Sequence, residues 1–366
     1  GVDNGTLSIS NGGEIDNRRD GAATFVFFGT GDGSNSVCTV DGGGSRLHGI
    51  DRLTVGGVYH TDTTGRGEMT VSNGGAVSAS LLSLGNRSLS QGTLNVRGIG
   101  STFIVNDAYF GDDGRGTTLV ENGGTITVNS FSAIGLTSNG SGTFTARGIG
   151  SRFHTGSLAV GREGSLGFLT VRDQALSDID TRVELGQRGT LDVGTSGRVE
   201  IGTVTSPALA GQIRIGSGGT LAGNGSVIGD VLLESGGTIS PGFSPGLLNI
   251  TGSLALLPAS TLFMEIAGST PGLFDRLLLT GDATLGGTLV LDFINGFVPS
   301  PGSRFDIISA GGTFSGNFNA FDIRGIDPSL VSVSNAGGSF GVNIVPTPSA
   351  MALLGLGGLM VARRRR

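Results

Sequence analysis

Short runs in which every second residue is apolar recur along this chain, each opened by a glycine. They read Gly67-Glu68-Met69-Thr70-Val71, Gly92-Thr93-Leu94-Asn95-Val96, Gly142-Thr143-Phe144-Thr145-Ala146, Gly167-Phe168-Leu169-Thr170-Val171 and Gly189-Thr190-Leu191-Asp192-Val193. Such alternation predicts extended strands, with Met69 and Val71 on one face and Glu68 and Thr70 on the other. A glycine turn follows each run, then a second strand such as Phe103-Ile104-Val105. Each unit closes on apolar-x-apolar-Gly, as in Leu53-Thr54-Val55-Gly56, Leu82-Ser83-Leu84-Gly85, Leu158-Ala159-Val160-Gly161 and Val183-Glu184-Leu185-Gly186. The residue before the closing glycine is Phe28, Val55, Leu84, Phe110, Ile134, Val160 and Leu185 in turn. One repeat position that stays apolar through successive units predicts a single stacked column of buried side chains.

The turns repeat too. Arg97-Gly98-Ile99-Gly100-Ser101-Thr102-Phe103 returns 50 residues later as Arg147-Gly148-Ile149-Gly150-Ser151-Arg152-Phe153. Ser72-Asn73-Gly74-Gly75-Ala76-Val77 returns 49 residues later as Glu121-Asn122-Gly123-Gly124-Thr125-Ile126, between those two copies. A unit of about 25 residues with two alternating turn types marks a stacked repeat protein. Two or three strands per unit and no helix-period segment predict an all-β, right-handed parallel β-helix. Its first eight rungs would form a rod about 35–40 Å long at an inter-strand spacing of ~4.8 Å. Asn11, Asn73 and Asn122 each precede a Gly-Gly pair and read as left-handed turn residues. They do not form an asparagine ladder, because the intervening units carry Arg-Gly-Ile-Gly at that place.

Composition narrows the function. Charged residues are 14% of the chain, lysine is absent, and the net charge is -6. That balance excludes a nucleic-acid surface, which needs a basic face to displace counterions. The single cysteine, Cys38, excludes an intrachain disulfide framework and a multi-cysteine zinc site. With Val37 and Val40 beside it, Cys38 is expected to be a small buried apolar residue. No secretory signal is visible at Gly1, where a repeat phrase is already near; the expectation is that one was removed or truncated.

Three regions follow. Residues 1–203 form the β-solenoid of repeats, and their phrases resemble the short repeats of secreted bacterial proteins that carry a PEP-CTERM tail. Residues 204–345 change rhythm, through Gly237-Thr238-Ile239-Ser240-Pro241-Gly242-Phe243-Ser244-Pro245-Gly246 and Phe274-Asp275-Arg276-Leu277-Leu278-Leu279-Thr280-Gly281. This stretch resembles the C-terminal part of autotransporter passenger domains, which implies a β-helix, although no membrane β-barrel follows. Residues 346–366 form a tail that, with Val345 before it, resembles the PEP-CTERM sorting signal: Val345-Pro346-Thr347-Pro348-Ser349, a short apolar helix to Ala362, and Arg363-Arg364-Arg365-Arg366. Thr347 stands where that family carries Glu. As a helix, 350–362 would reach only ~20 Å, short of a ~30 Å hydrocarbon core. The four arginines favour cytoplasmic retention, so the tail reads as a transient membrane stop. The resemblance implies an exosortase-type enzyme as processing partner and an envelope rich in exopolysaccharide, of Gram-negative type.

Catalytic and metal readings are weaker. Asp178 and Asp180 would share one strand face and could act as acid and base or bind calcium. The competing reading is a solvated face, favoured because no second acidic pair recurs and no aromatic sugar platform is visible. Asp112-Asp113-Gly114 and Gly31-Asp32-Gly33 resemble calcium turns but lack tandem nine-residue spacing. His48, His60 and His154 lack metal-ligand spacing, and Gly29-Thr30-Gly31-Asp32-Gly33 lacks the Gly-Lys-Ser/Thr ending of a phosphate loop. The sequence therefore points to an exported structural or adhesive protein of the cell surface or extracellular matrix, with no catalytic, cofactor or metal residues. The alternative is a polysaccharide-binding or polysaccharide-degrading enzyme on the same scaffold.

Overall fold

A computed structural model describes residues 4–18, 22–58, 64–202, 211–242 and 245–345. The glycine-led runs form one thirteen-stranded parallel sheet, from Gly5–Ser10 through Gln91–Arg97 and Ser141–Arg147 to Ala320–Arg324. Each rung then turns onto a second and a third face. In the middle rungs one long strand bends across both, as in Arg46–Val55 and Thr125–Ile134, with a register shift between Val128 and Phe131. Further along the rung separates into two strands, Leu176–Ile179 and Arg182–Leu185, which both pair with Arg152–Val160. Among the described residues the helical segments are two short 3-10 turns, Arg162–Gly164 and Pro328–Leu330. The chain is an all-β parallel solenoid.

The expected column is present. Phe28, Val55, Leu84, Phe110, Ile134, Val160 and Leu185 lie in register on successive rungs. All seven are at most 1% exposed. The column continues through Ile215, Leu233 and Leu256. Within it Phe110 packs against Phe144 and Phe153, the three ring centroids lying 4.2–6.0 Å apart. Cys38 is fully buried in the first face, and burial pushes its thiol up to about 12.

The closing glycines are required twice over. Gly111 sits at φ +84, and a Cβ there would lie 2.3 Å from the Ser141 carbonyl oxygen of the next rung. Asn11, Asn73 and Asn122 have φ of 53–55°, the left-handed turn conformation expected of them.

Rung length explains where the repeat is legible. Gly67, Gly92, Gly116, Gly142 and Gly167 are in register at intervals of 24–26 residues. Later partners are 30 residues apart at Thr190 and Thr220, then 18 at Thr220 and Thr238. The rhythm changes while the parallel register of the first face does not. At the C-terminal end Ser339–Ile344 reverses direction, pairing antiparallel with both Arg304–Ala310 and Val331–Ala336. That hairpin covers one strand edge of the last rung, the management of open edges that sheets generally need.

Candidate functional surfaces

The outward side of the first face carries a column of threonines. Thr93, Thr117 and Thr143 are in register, followed by Phe168 and then Thr190, Thr220, Thr238, Thr261 and Thr288. Thr6, Val37 and Glu68 precede them in the same column. None of these threonines is buried. Threonine suits the position because its branched Cβ fits a pleated surface and its hydroxyl stays in water. The signal was present in the sequence as recurring Gly-Thr pairs, which place threonine just after the glycine that opens a strand.

The carboxylates are arranged differently from the expected solvated face. Asp178 is 4% exposed and closed over by two partners. Arg152 donates through Nε at 2.8 Å and through Nη2 at 2.5 Å, and His154 Nδ1 lies 2.8 Å from Asp178 Oδ2. Burial pushes the Asp178 carboxyl up, but the hydrogen bonds from Arg152 and His154 outweigh it and hold it below its ordinary value. Asp180 stays partly exposed, with its Oδ2 3.7 Å from His154 Nε2. The missed signal was on the neighbouring rung, since Arg152 and His154 stand beside Leu176 and Asp178 in register. A carboxylate committed to a guanidinium and an imidazole has no proton to give and few lone pairs left for a substrate.

The other candidates are local ties. Asp112 Oδ2 accepts from Ser83 Oγ and Asn86 Nδ2, each at 2.7 Å, and burial raises its carboxyl. Asp32 Oδ1 accepts the Thr64 N–H at 3.0 Å. His48 Nε2 contacts Glu14 Oε1 at 2.5 Å, and His60 lies outside the described residues. Among the described residues no group of three or more His, Cys, Asp or Glu side chains is placed to hold a metal ion. Of the sorting residues only Val345 is described; its N–H donates to the Leu330 carbonyl at 2.8 Å. Pro346, Thr347, Pro348, Ser349, Arg363, Arg364, Arg365, Arg366 and the expected apolar helix lie outside the described residues. No described helix is long and apolar enough to cross a membrane.

Fold and surface together define a parallel β-solenoid whose first face carries an outward column made mostly of threonine. Two curated proteins match parts of the chain in sequence. The chain is 31% identical over 147 residues to the adhesin BmaC autotransporter of Brucella suis, covering 36% of this chain and 4% of that protein. It is 26% identical over 205 residues to the uncharacterized lipoprotein YdeK of Escherichia coli, covering 54% of this chain and 13% of that protein. The chain thus spans a small part of the curated relatives it matches. A solved structure, the TibC-catalyzed hyper-glycosylated TibA55-350 fragment, aligns with 88% of this chain and all of its own at 15% identity and a TM-score of 0.37. A likeness that low leaves the fold resting on the strand register. No protein-family model matches the chain.

Proposed function

We propose that this chain is an exported, non-catalytic β-solenoid of the bacterial surface or surrounding matrix, serving as an adhesive or structural rod. The threonine column carries this reading: a stiff sheet presents hydroxyls at ~4.8 Å spacing in two runs, Thr93 to Thr143 and, past Phe168, Thr190 to Thr288, suited to repeated contact with a polyhydroxyl polymer. The partial match to an adhesin supports it. Right-handed winding follows from the strong preference of parallel crossovers. Exopolysaccharide is the proposed partner, and the 346–366 tail the proposed signal for an exosortase-type enzyme, with transient membrane contact before processing.

Purified full-length chain assayed against a polysaccharide panel should retain polymer without releasing oligosaccharides. Changing Thr93, Thr117 and Thr143 together to Glu should weaken retention and leave the melting temperature nearly unchanged. Release of soluble fragments would favour the degrading-enzyme alternative instead. For the tail, the 1–345 chain should melt with the full chain and fail to reach the surface in fractionated cells; normal sorting would place the signal elsewhere.

A further inference from the structure

The margin of the first face, where each strand meets its turn, carries one charged or polar residue per rung. In register these are Asp41, Ser72, Arg97, Glu121 and Arg147. Glu121 stands in register between Arg97 and Arg147 and pairs with the second: Arg147 Nε and Nη2 donate to Glu121 Oε2 at 2.9 and 2.6 Å. Asp41 and Arg97 are two rungs apart, ~9.6 Å at the ordinary strand spacing. Ser72, between them, is too short to fill the gap. The result is a groove of about 410 Å³ lined by Thr39, Asp41, Ser72, Asn73, Arg97 and Asn122.

Its two charged walls are differently prepared. Asp41 Oδ1 accepts from Ser72 Oγ at 2.6 Å and from Asn73 Nδ2 at 2.7 Å. Those hydrogen bonds, Ser72's first, hold the Asp41 carboxyl below its ordinary value. The carboxylate is therefore ionised and fixed, and no described side chain donates to its Oδ2. Arg97 is exposed, and no described side chain hydrogen-bonds or ion-pairs with its guanidinium.

We propose that this groove binds a carboxylated sugar, a hexuronate unit of an acidic polysaccharide. The Arg97 guanidinium takes the sugar carboxylate as a two-pronged pair. Asp41 Oδ2 accepts from ring hydroxyls, and the Asn73 and Asn122 carboxamides complete the hydrogen bonding. A neutral sugar leaves Arg97 unmatched, and a ligand that is anionic throughout meets Asp41. The lining holds no large apolar side chain, so nothing there receives a peptide's side chain. The inference deepens the adhesive reading by naming a sugar class, and rests on it for the ligand's source.

The test is calorimetric titration of the full-length chain with D-glucuronate, glucuronate oligomers, glucose and glycylglycine. Glucuronate should bind in the millimolar range, and its oligomers more tightly. Glucose should bind about tenfold more weakly than glucuronate. Arg97→Gln should cost glucuronate binding about tenfold, with the melting temperature nearly unchanged because that side chain makes no hydrogen bond or ion pair with a described side chain and acts on Asp41 only through its charge. Equal glucuronate binding by wild type and Arg97→Gln, tighter binding of glycylglycine, or no glucuronate binding would each overturn the assignment. The adhesive reading fails separately, if the wild-type chain retains no polysaccharide at all. If wild type and Arg97→Gln retain an acidic polymer equally, adhesion stands and the groove does not.

Discussion

The Ser101 hydroxyl accepts the Gly74 N–H at 3.0 Å and donates to the Arg97 carbonyl at 2.8 Å, tying two rungs together at their turns. Ser45 does the same with Gly12 and Asp41, and Ser151 accepts from Gly123 at 3.2 Å. The two turn phrases are thus halves of one contact. Asn-Gly-Gly supplies the donor, Gly-x-Gly-Ser supplies the hydroxyl, and the true repeat is a pair of rungs. That is why the phrases recur at 49 and 50 residues, twice the length of a rung.

Ser101→Ala should therefore destabilise the chain by ~1–2 kcal/mol, since it leaves a turn amide and a carbonyl without their partner. Ser45→Ala, two rungs away, should add to it with little coupling. Urea unfolding midpoints measure both. Wild-type stability in Ser101→Ala would mean that water replaces the hydroxyl freely.

Glycines at the two corners should respond in opposite ways. Gly111→Ala puts a methyl against the Ser141 carbonyl at positive φ, so a loss of ~2 kcal/mol or more is expected. Gly43 has open space around the site of a Cβ, and Gly43→Ala should be neutral or slightly stabilising. Similar melting temperatures for the two variants would show that the closing corner relaxes.

The fold was legible because its signals are local. Alternation fixed the strands, and the apolar residue before each closing glycine fixed the column, since both depend only on spacing within a unit. What crosses rungs was not legible. Asp178 looked like half of a solvated pair because its partners, Arg152 and His154, are 26 and 24 residues away in sequence and adjacent only in register. The same holds for Asp41 and Arg97, whose groove exists because of what lies between them. The C-terminal reversal was hidden for a different reason: Ser339–Ile344 alternates like any strand, and alternation carries no direction.

Thr118 interrupts the apolar stack of the first face, between Leu94 and Phe144 in register. It is 1% exposed and its hydroxyl has no hydrogen-bond partner. Thr118→Val keeps the shape and removes the unpaired group, so a gain of ~1 kcal/mol is expected. A destabilised Thr118→Val would mean that the hydroxyl holds a buried water.

Two buried carboxylates give the stability profile opposite slopes. Asp178 is held below its ordinary value, burial being outweighed by Arg152 and His154, so its contribution is full above the unfolded carboxyl value of ~3.9 and is lost as pH falls through the folded value. Asp275 is fully buried beneath the backbone amides of Gly246 and Glu265, which donate to it at 2.7 and 2.8 Å. Burial nevertheless pushes its carboxyl up to about 7, with the Glu265 charge adding to the rise. Its contribution is therefore present below ~3.9 and is lost as pH rises towards and through that higher value. Wild-type stability should decline by ~3 kcal/mol between pH 4 and 7 on this account, since the rise to about 7 is what remains after the two amides have pulled the other way. Asp275→Asn should start lower, because a carboxamide can accept only one of those N–H groups with its oxygen, and its profile should be flatter over that interval. Asp178→Asn should leave that interval alone and soften the loss on the acid side. Urea unfolding at fixed ionic strength across pH 3–8 separates the two. A wild-type profile that rises from pH 4 to 7, and is unchanged in slope by Asp275→Asn, would mean that the amides keep Asp275 ionised throughout.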